Sequence, residues 1–145
     1  MVSRWYLYYN LVLWYIIGKS EERRDKMELE RIMQMQNFVV VGDTLNEEKY
    51  AYKIKKELLE KGYTVSCVGK ELASINDVEG EIDVIDLCIN PVKGLRLLEE
   101  LNRNFKYIVI QPGAESEDII SLLRKKHYPY IEGCLLVGLS LYPRK

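Results

Sequence analysis

"FVVVGDTLNEEKYAY", Phe38 to Tyr52, joins an apolar run to a helical pattern through a short polar turn. The run is continuous rather than alternating, as expected of a strand buried on both faces. Gly42 ends it and permits a tight turn, and Thr44 adds a hydroxyl donor. A helix starting just beyond would aim its unpaired N–H groups and partial positive charge at the end of the strand, an arrangement that favours phosphate. A dinucleotide fingerprint would need further glycines where this chain has Thr44 and Glu47. Without any ligand, Gly42 could simply end the strand and Thr44 cap the turn.

Outward from this stretch, strands and helices alternate. In the segment after the turn, Ala51, Ile54 and Leu58 recur at helical spacing, and Gly62 stands where a C-cap glycine belongs. "YTVSCVG" reads as the second strand and "IDVIDLCIN" as the third, with a short helical turn expected near Asn76 between them. "PVKGLRLLEELNRN" reads as a helix with Pro91 in its first turn, where a missing N–H costs nothing. "YIVIQPG" is the fourth strand, "SEDIISLLRKKH" a helix capped by Ser116, and "YPYIEG" a short fifth strand. The apolar tail "CLLVGLSLYP" fits strand or helix, and a short helix suits a sheet covered on both sides. The expected fold is α/β: a Rossmann-like, doubly wound parallel sheet of about five strands in three layers, with right-handed crossovers.

Ligands of such sheets bind beyond the carboxyl ends of the strands, at the topological switch point. The candidate residues are therefore those that follow each strand. After the second strand, Gly69-Lys70-Glu71 stands where an NAD site usually places an acid for the ribose hydroxyls. Lys70 suits a ligand with a phosphate near an adenosine ribose, while Glu71 leaves NAD open; a solvated loop lysine is the plain alternative. After the third and fourth strands, Asn90-Pro91 and Gln111-Pro112 each set a carboxamide before a proline. Proline cannot extend the ladder, so the chain turns there, and Gly113 lets backbone approach a ligand.

The 145 residues suit one domain able to bury a sizeable core. A net charge of −1 gives no electrostatic footprint for nucleic acid. Cys67, Cys88 and Cys134 form no CxxC pair and read as reduced thiols of a cytoplasmic protein, with no metal site. Residues 37–145 form the expected domain and 1–36 an N-terminal extension. Within the extension, "WYLYYNLVLWYII" is shorter than the roughly 20 residues of a spanning helix, so no membrane span is expected. Residues 1–26 have three open readings: an over-extended reading frame ahead of Met27, a peripheral membrane or partner-binding segment, or an extra packed element.

From about Asn37 to Leu139 the sequence resembles the single-domain CoA-binding proteins, related to the nucleotide-binding half of the succinyl-CoA synthetase alpha chain. "VVVGDTLNEEKYAYKIKKELLEKGYTVSCVG", "IDVIDLCINP", "VIQPGAES" and "GCLLVG" carry the resemblance, in that order. Two departures stand out. "GYTVSCVG" replaces the usual "GY.V.PVNP", and Gly-Asp-Thr replaces the common Gly-Ala-Ser. The resemblance implies a small-molecule nucleotide partner, CoA or an acyl-CoA. Its pyrophosphate would lie over Gly42, Asp43 and Thr44, with Lys49 and Tyr50 reaching it from the side. Val68 and Gly69 would border the adenine and Lys70 would meet the ribose phosphate. Asn90, Pro91, Gln111, Pro112 and Gly113 would form the remaining wall.

Nothing in the sequence assembles a catalytic group, so the expected role is that of a non-catalytic module. The lone histidine, His127, reads as a surface residue at a helix C-terminus. Cys134 has no acid or histidine placed to activate it, and its apolar neighbours suggest a buried thiol. Cys67, near the end of the second strand, is open to a mixed disulfide with CoA. Two other functions stay open: an NAD(P)-binding redox-sensing module, and a protein-interaction module with an empty crevice. The oligomeric state is not legible.

Overall fold

A computed structural model describes residues 11–13, 16, 23–142 and 144. The "WYLYYNLVLWYII" stretch and the open readings of residues 1–26 lie largely outside the described residues. Five parallel strands form one sheet: β1 (Asn37–Gly42), β2 (Thr64–Gly69), β3 (Val84–Cys88), β4 (Tyr107–Ile110) and β5 (Tyr130–Glu132), in the order β2-β1-β3-β4-β5. The chain is an α/β protein with a Rossmann-like, doubly wound, three-layer architecture, as the alternation of patterns predicts.

Side-chain alternation along the strands divides the core in two. Phe38, Val40, Val84, Val109 and Ile131 face α1 (23–32), α2 (Tyr50–Glu60) and α5 (Leu135–Leu141). Val39, Val41, Ile85, Leu87, Ile108 and Ile110 face α3 (Pro91–Glu99) and α4 (Glu117–Lys125). Burial of a side chain such as Phe38, 1% exposed, contributes about 1.5–3 kcal/mol. Leu29 and Ile32 of α1, with Met33, lie in this core, so the packed unit begins before Asn37. Tyr63 ties that helix's end to the sheet by donating its hydroxyl to the Met33 carbonyl at 2.6 Å. The tail forms a helix because its apolar residues cover a buried face, and its Gly138 lies so close to Met33 that a β-carbon would approach Sδ to 2.8 Å.

Local chemistry sets the helix ends. Asn90 accepts the Lys93 amide at 3.0 Å ahead of Pro91, and Ser116 accepts the Ile119 amide at 3.2 Å. Gly62 and Tyr63 donate to Leu59 and Leu58, the paired bonds of a Schellman motif, which closes α2. The short turn expected near Asn76 is a 3₁₀ turn, Ile75–Asp77. At the start of the sheet, Asp83 accepts the Gln36 and Asn37 amides and pairs with Lys106 at 3.1 Å. Burial pushes its carboxyl up, but those amides and Lys106 outweigh it and hold the group below the usual range. No helix among the described residues is long and apolar enough to cross a membrane.

Candidate functional site

β1 and β3 are neighbours, and Gly42 stands opposite Cys88 in their register. From β1 the chain goes to α2 on one face; from β3 it goes to α3 on the other. The loops therefore part between these two strands, which is the switch point of the sheet. A cleft of about 490 Å³ opens there, within the range usual for small-molecule sites.

Backbone approaches shape its floor. A β-carbon on Gly42 would come within 2.3 Å of the Cys88 carbonyl oxygen and 2.9 Å of Ala51. Gly69 has φ +125°, and its β-carbon would lie 2.7 Å from the Gly42 carbonyl oxygen. Only glycine lets the ends of β1, β2 and β3 close on one another here. Gly113, with φ +92°, has open space where its side chain would be at the β4 rim, and its N–H donates to Glu115 Oε2 at 2.7 Å.

Most of the residues expected from the sequence line this cleft: Gly42, Asp43, Lys49, Tyr50, Gly69, Lys70, Asn90, Pro112 and Gly113. Pro91 begins α3 but does not line the wall. Three further expectations are corrected. Thr44 is buried, and its hydroxyl donates to Glu71 Oε2 at 2.6 Å rather than facing the cleft. Val68 is fully buried in the core, because it alternates away from the opening. Gln111 is buried too, and its side-chain N–H donates to Asp86 Oδ1 at 2.6 Å.

Asp43 folds back on its own loop, where Oδ1 accepts the Leu45 and Asn46 amides, each at 3.2 Å. Those two amides are thereby engaged, and a ligand would meet instead the first-turn amides of α2, which have no carbonyl a turn earlier in their own helix. That helix begins at Tyr50, later than the "EEKYAY" pattern suggests, with Lys49 as N-cap. Its first turn carries no acid to oppose an anion.

Sequence reasoning missed Ala51, Cys88, Ile89, Lys93 and Ala114 on the cleft wall. Lys93 lies three residues beyond the strand-end carboxamide, where one turn of α3 brings it back to the opening. Among the lining residues, three lysines stand against one aspartate, so the cleft favours an anion. None of Lys49, Lys70 and Lys93 makes an ion pair among the described residues.

Behind the cleft lies a polar pair inside an apolar sheet. Asp86 is fully buried on the central strand β3, and its Oδ2 has no hydrogen-bond partner. Burial pushes its carboxyl up to about 7, with the Gln111 bond working weakly against the shift. Its signal in the sequence is an acid inside the otherwise apolar "VIDLC". The Cys67 and Cys88 thiols are held far from ionisation. Burial, then Asp86, then Cys134 push Cys88 up to about 12. Burial above all pushes Cys67 up to about 11, and Cys67 does not line the cleft. A thiol so far from ionisation is a poor nucleophile at neutral pH. No cluster of metal-ligating side chains occurs among the described residues. His127 follows α4 and leads into β5, at the amino end of the strands and away from the cleft at their carboxyl ends.

Residues 36–140 match the CoA binding domain family. The chain belongs to that family. The match spans every strand and the whole cleft. A conserved hypothetical protein from Pyrococcus furiosus is 31% identical, with a TM-score of 0.63, over 71% of this chain and 98% of its own. Two more distant structures share the fold. Prb, a protein redesigned for binding, is 20% identical with a TM-score of 0.69, over 83% of this chain and 94% of its own. A Thermus thermophilus protein is 19% identical with a TM-score of 0.66, over 80% and 96% respectively. No curated protein matches the sequence.

Proposed function

We infer that this CoA-binding-family domain binds CoA or an acyl-CoA at the switch-point cleft as a non-catalytic module. The observation that carries the reading is a cationic, glycine-floored cleft at the mouth of α2 in a chain matched to that family from end to end of the sheet. The donor set fits a diphosphate: first-turn amides of α2 for its oxygens, and Lys49 beside them. Lys70, at the end of β2, would meet the phosphate on the adenosine ribose. Gly113 and Pro112 would border the pantetheine side. A non-catalytic role is supported by the poorly ionised thiols of Cys67 and Cys88 and by the distance of His127 from the cleft. The same thiols suit a reducing compartment such as the cytoplasm.

The engagement of Glu71 favours CoA over NAD. An NAD site needs a free carboxylate at the end of the second strand. Here Glu71 accepts from Thr44 at 2.6 Å and from Lys55 at 3.0 Å, and these partners, Thr44 first, hold its carboxyl below the usual range. Calorimetry with CoA, dephospho-CoA and NAD tests the reading. CoA is expected to bind best, dephospho-CoA more weakly and NAD weakest. No heat with CoA, and no rise in Tm at saturating CoA, would refute it. Equal affinity for CoA and dephospho-CoA would remove Lys70 from the site.

A further inference from the structure

The amides of α2 serve one side of the cleft only. A diphosphate carries oxygens in every direction, and its far side would face the start of α3. Backbone can do little there. Pro91 has no N–H, and the Lys93 N–H is taken by the Asn90 carboxamide at 3.0 Å. Val92 is the one remaining amide of that first turn, and one amide is not an anion cradle. The cation that faces the cleft from this helix is Lys93. Its backbone is held in place by the Asn90 cap, while its side chain is exposed and has no ion pair among the described residues.

The topology sets Lys93 against Lys49. The two lysines belong to the starts of helices on opposite faces of the sheet, and their loops leave adjacent strands at the paired residues Gly42 and Cys88. Lys70 lies one strand further out, beyond Gly69, on the opposite side of β1 from Lys93. The three lysines thus stem from two places: a pair on either side of the switch point, and a third displaced toward the edge strand.

Building on the CoA reading, we propose that Lys93 is a ligand-binding residue that clamps the diphosphate from the α3 side, opposite Lys49, and that Lys70 alone reads the ribose phosphate. The division predicts which ligand each lysine senses. CoA and dephospho-CoA share the diphosphate and differ in the ribose phosphate.

Calorimetric titration of the full chain with both ligands separates the roles. Lys93→Met is expected to weaken CoA and dephospho-CoA alike, by roughly threefold to fivefold each, the effect of losing one partly solvated charge contact. Lys93→Arg, which keeps the charge, is expected to stay within about twofold of wild type. Lys70→Met is expected to weaken CoA and leave dephospho-CoA unchanged. Unchanged affinity of Lys93→Met for both ligands would overturn the clamp while leaving CoA binding intact. Weakening for CoA alone would overturn it equally, because Lys93 would then be reading the ribose phosphate. Absence of CoA binding by the wild-type chain is the separate failure of the underlying reading, and it takes the clamp with it. Thermal unfolding of each variant, expected to match wild type at these exposed positions, excludes misfolding as the cause of a loss.

Discussion

Gln111 holds Asp86 by a 2.6 Å hydrogen bond in the middle of the sheet, and the second oxygen of that carboxyl has no partner. A buried carboxylate left half-satisfied is costly in its charged form. The folded protein therefore keeps the proton to about pH 7, whereas an unfolded chain releases it near 3.8. Because the folded pKa is the higher one, the stabilising effect is complete below about pH 4 and is lost as the pH rises toward 7. At about 1.4 kcal/mol per unit, the loss across that window is about 4 kcal/mol. Asp86→Asn keeps the shape and the acceptor for Gln111 but cannot ionise. Urea unfolding at pH 5 and pH 8 should show a marked drop in wild-type stability at the higher pH, and a drop smaller by at least about 2 kcal/mol in the variant. Equal drops in both proteins would mean that Asp86 is not the titrating group.

His127 occupies a left-handed conformation, φ 56°, at the end of α4. The His127 and Tyr128 amides donate to the Arg124 and Leu123 carbonyls, so the residue fills the position where such helix ends prefer glycine. The residue is exposed. His127→Gly should relieve the backbone and stabilise the protein by about 0.5–1 kcal/mol, with a rise in Tm of about 2–3 °C. The variant should bind CoA as wild type does. A lower Tm would show that the imidazole makes a stabilising contact that outweighs the strain.

The floor of the cleft should be intolerant of a single methyl group. At Gly69 an alanine would combine an unfavourable φ of +125° with a β-carbon 2.7 Å from the Gly42 carbonyl oxygen. That oxygen belongs to β1, which is paired on both sides and has little room to retreat. Gly69→Ala should cost about 2 kcal/mol or more in chemical denaturation, and should weaken CoA binding by displacing the loop that carries Lys70. A fully stable variant with wild-type affinity would show that the end of β2 yields freely.

Local patterns made the layered fold readable. The "FVVVG" run, the Ala51–Ile54–Leu58 stripe, Pro91 behind its Asn90 cap and Ser116 each act within a few residues of themselves. The strand ends were legible as the mouth of a site for the same reason. What remained hidden was the direction of individual side chains at those ends. Thr44 turns inward because its partner Glu71 lies 27 residues later, and Gln111 because Asp86 lies 25 residues earlier. Neither pairing leaves a trace in local sequence. Lys93 is not legible as a strand-end residue for a different reason: a helical turn, not a strand end, returns it to the opening.

The Thr44–Glu71 bond yields a test that separates structural from ligand contacts. Thr44 is 1% exposed, and its hydroxyl points at Glu71, which Lys55 also holds at 3.0 Å. Thr44→Val keeps the shape and removes the donor. Glu71 is solvent-accessible and can recover part of the lost bond from water, so the expected cost is about 1 kcal/mol. That cost should be greatest where Glu71 is charged. Its depressed pKa means that the contribution is present above the ordinary glutamate range and is lost as the pH falls through the still lower folded value. The wild-type and Thr44→Val proteins should therefore converge in stability on acidification. Affinity for CoA at neutral pH should change by less than about twofold, since the hydroxyl is turned away from the cleft. A tenfold loss of CoA affinity with stability intact would reverse the assignment and return Thr44 to the ligand.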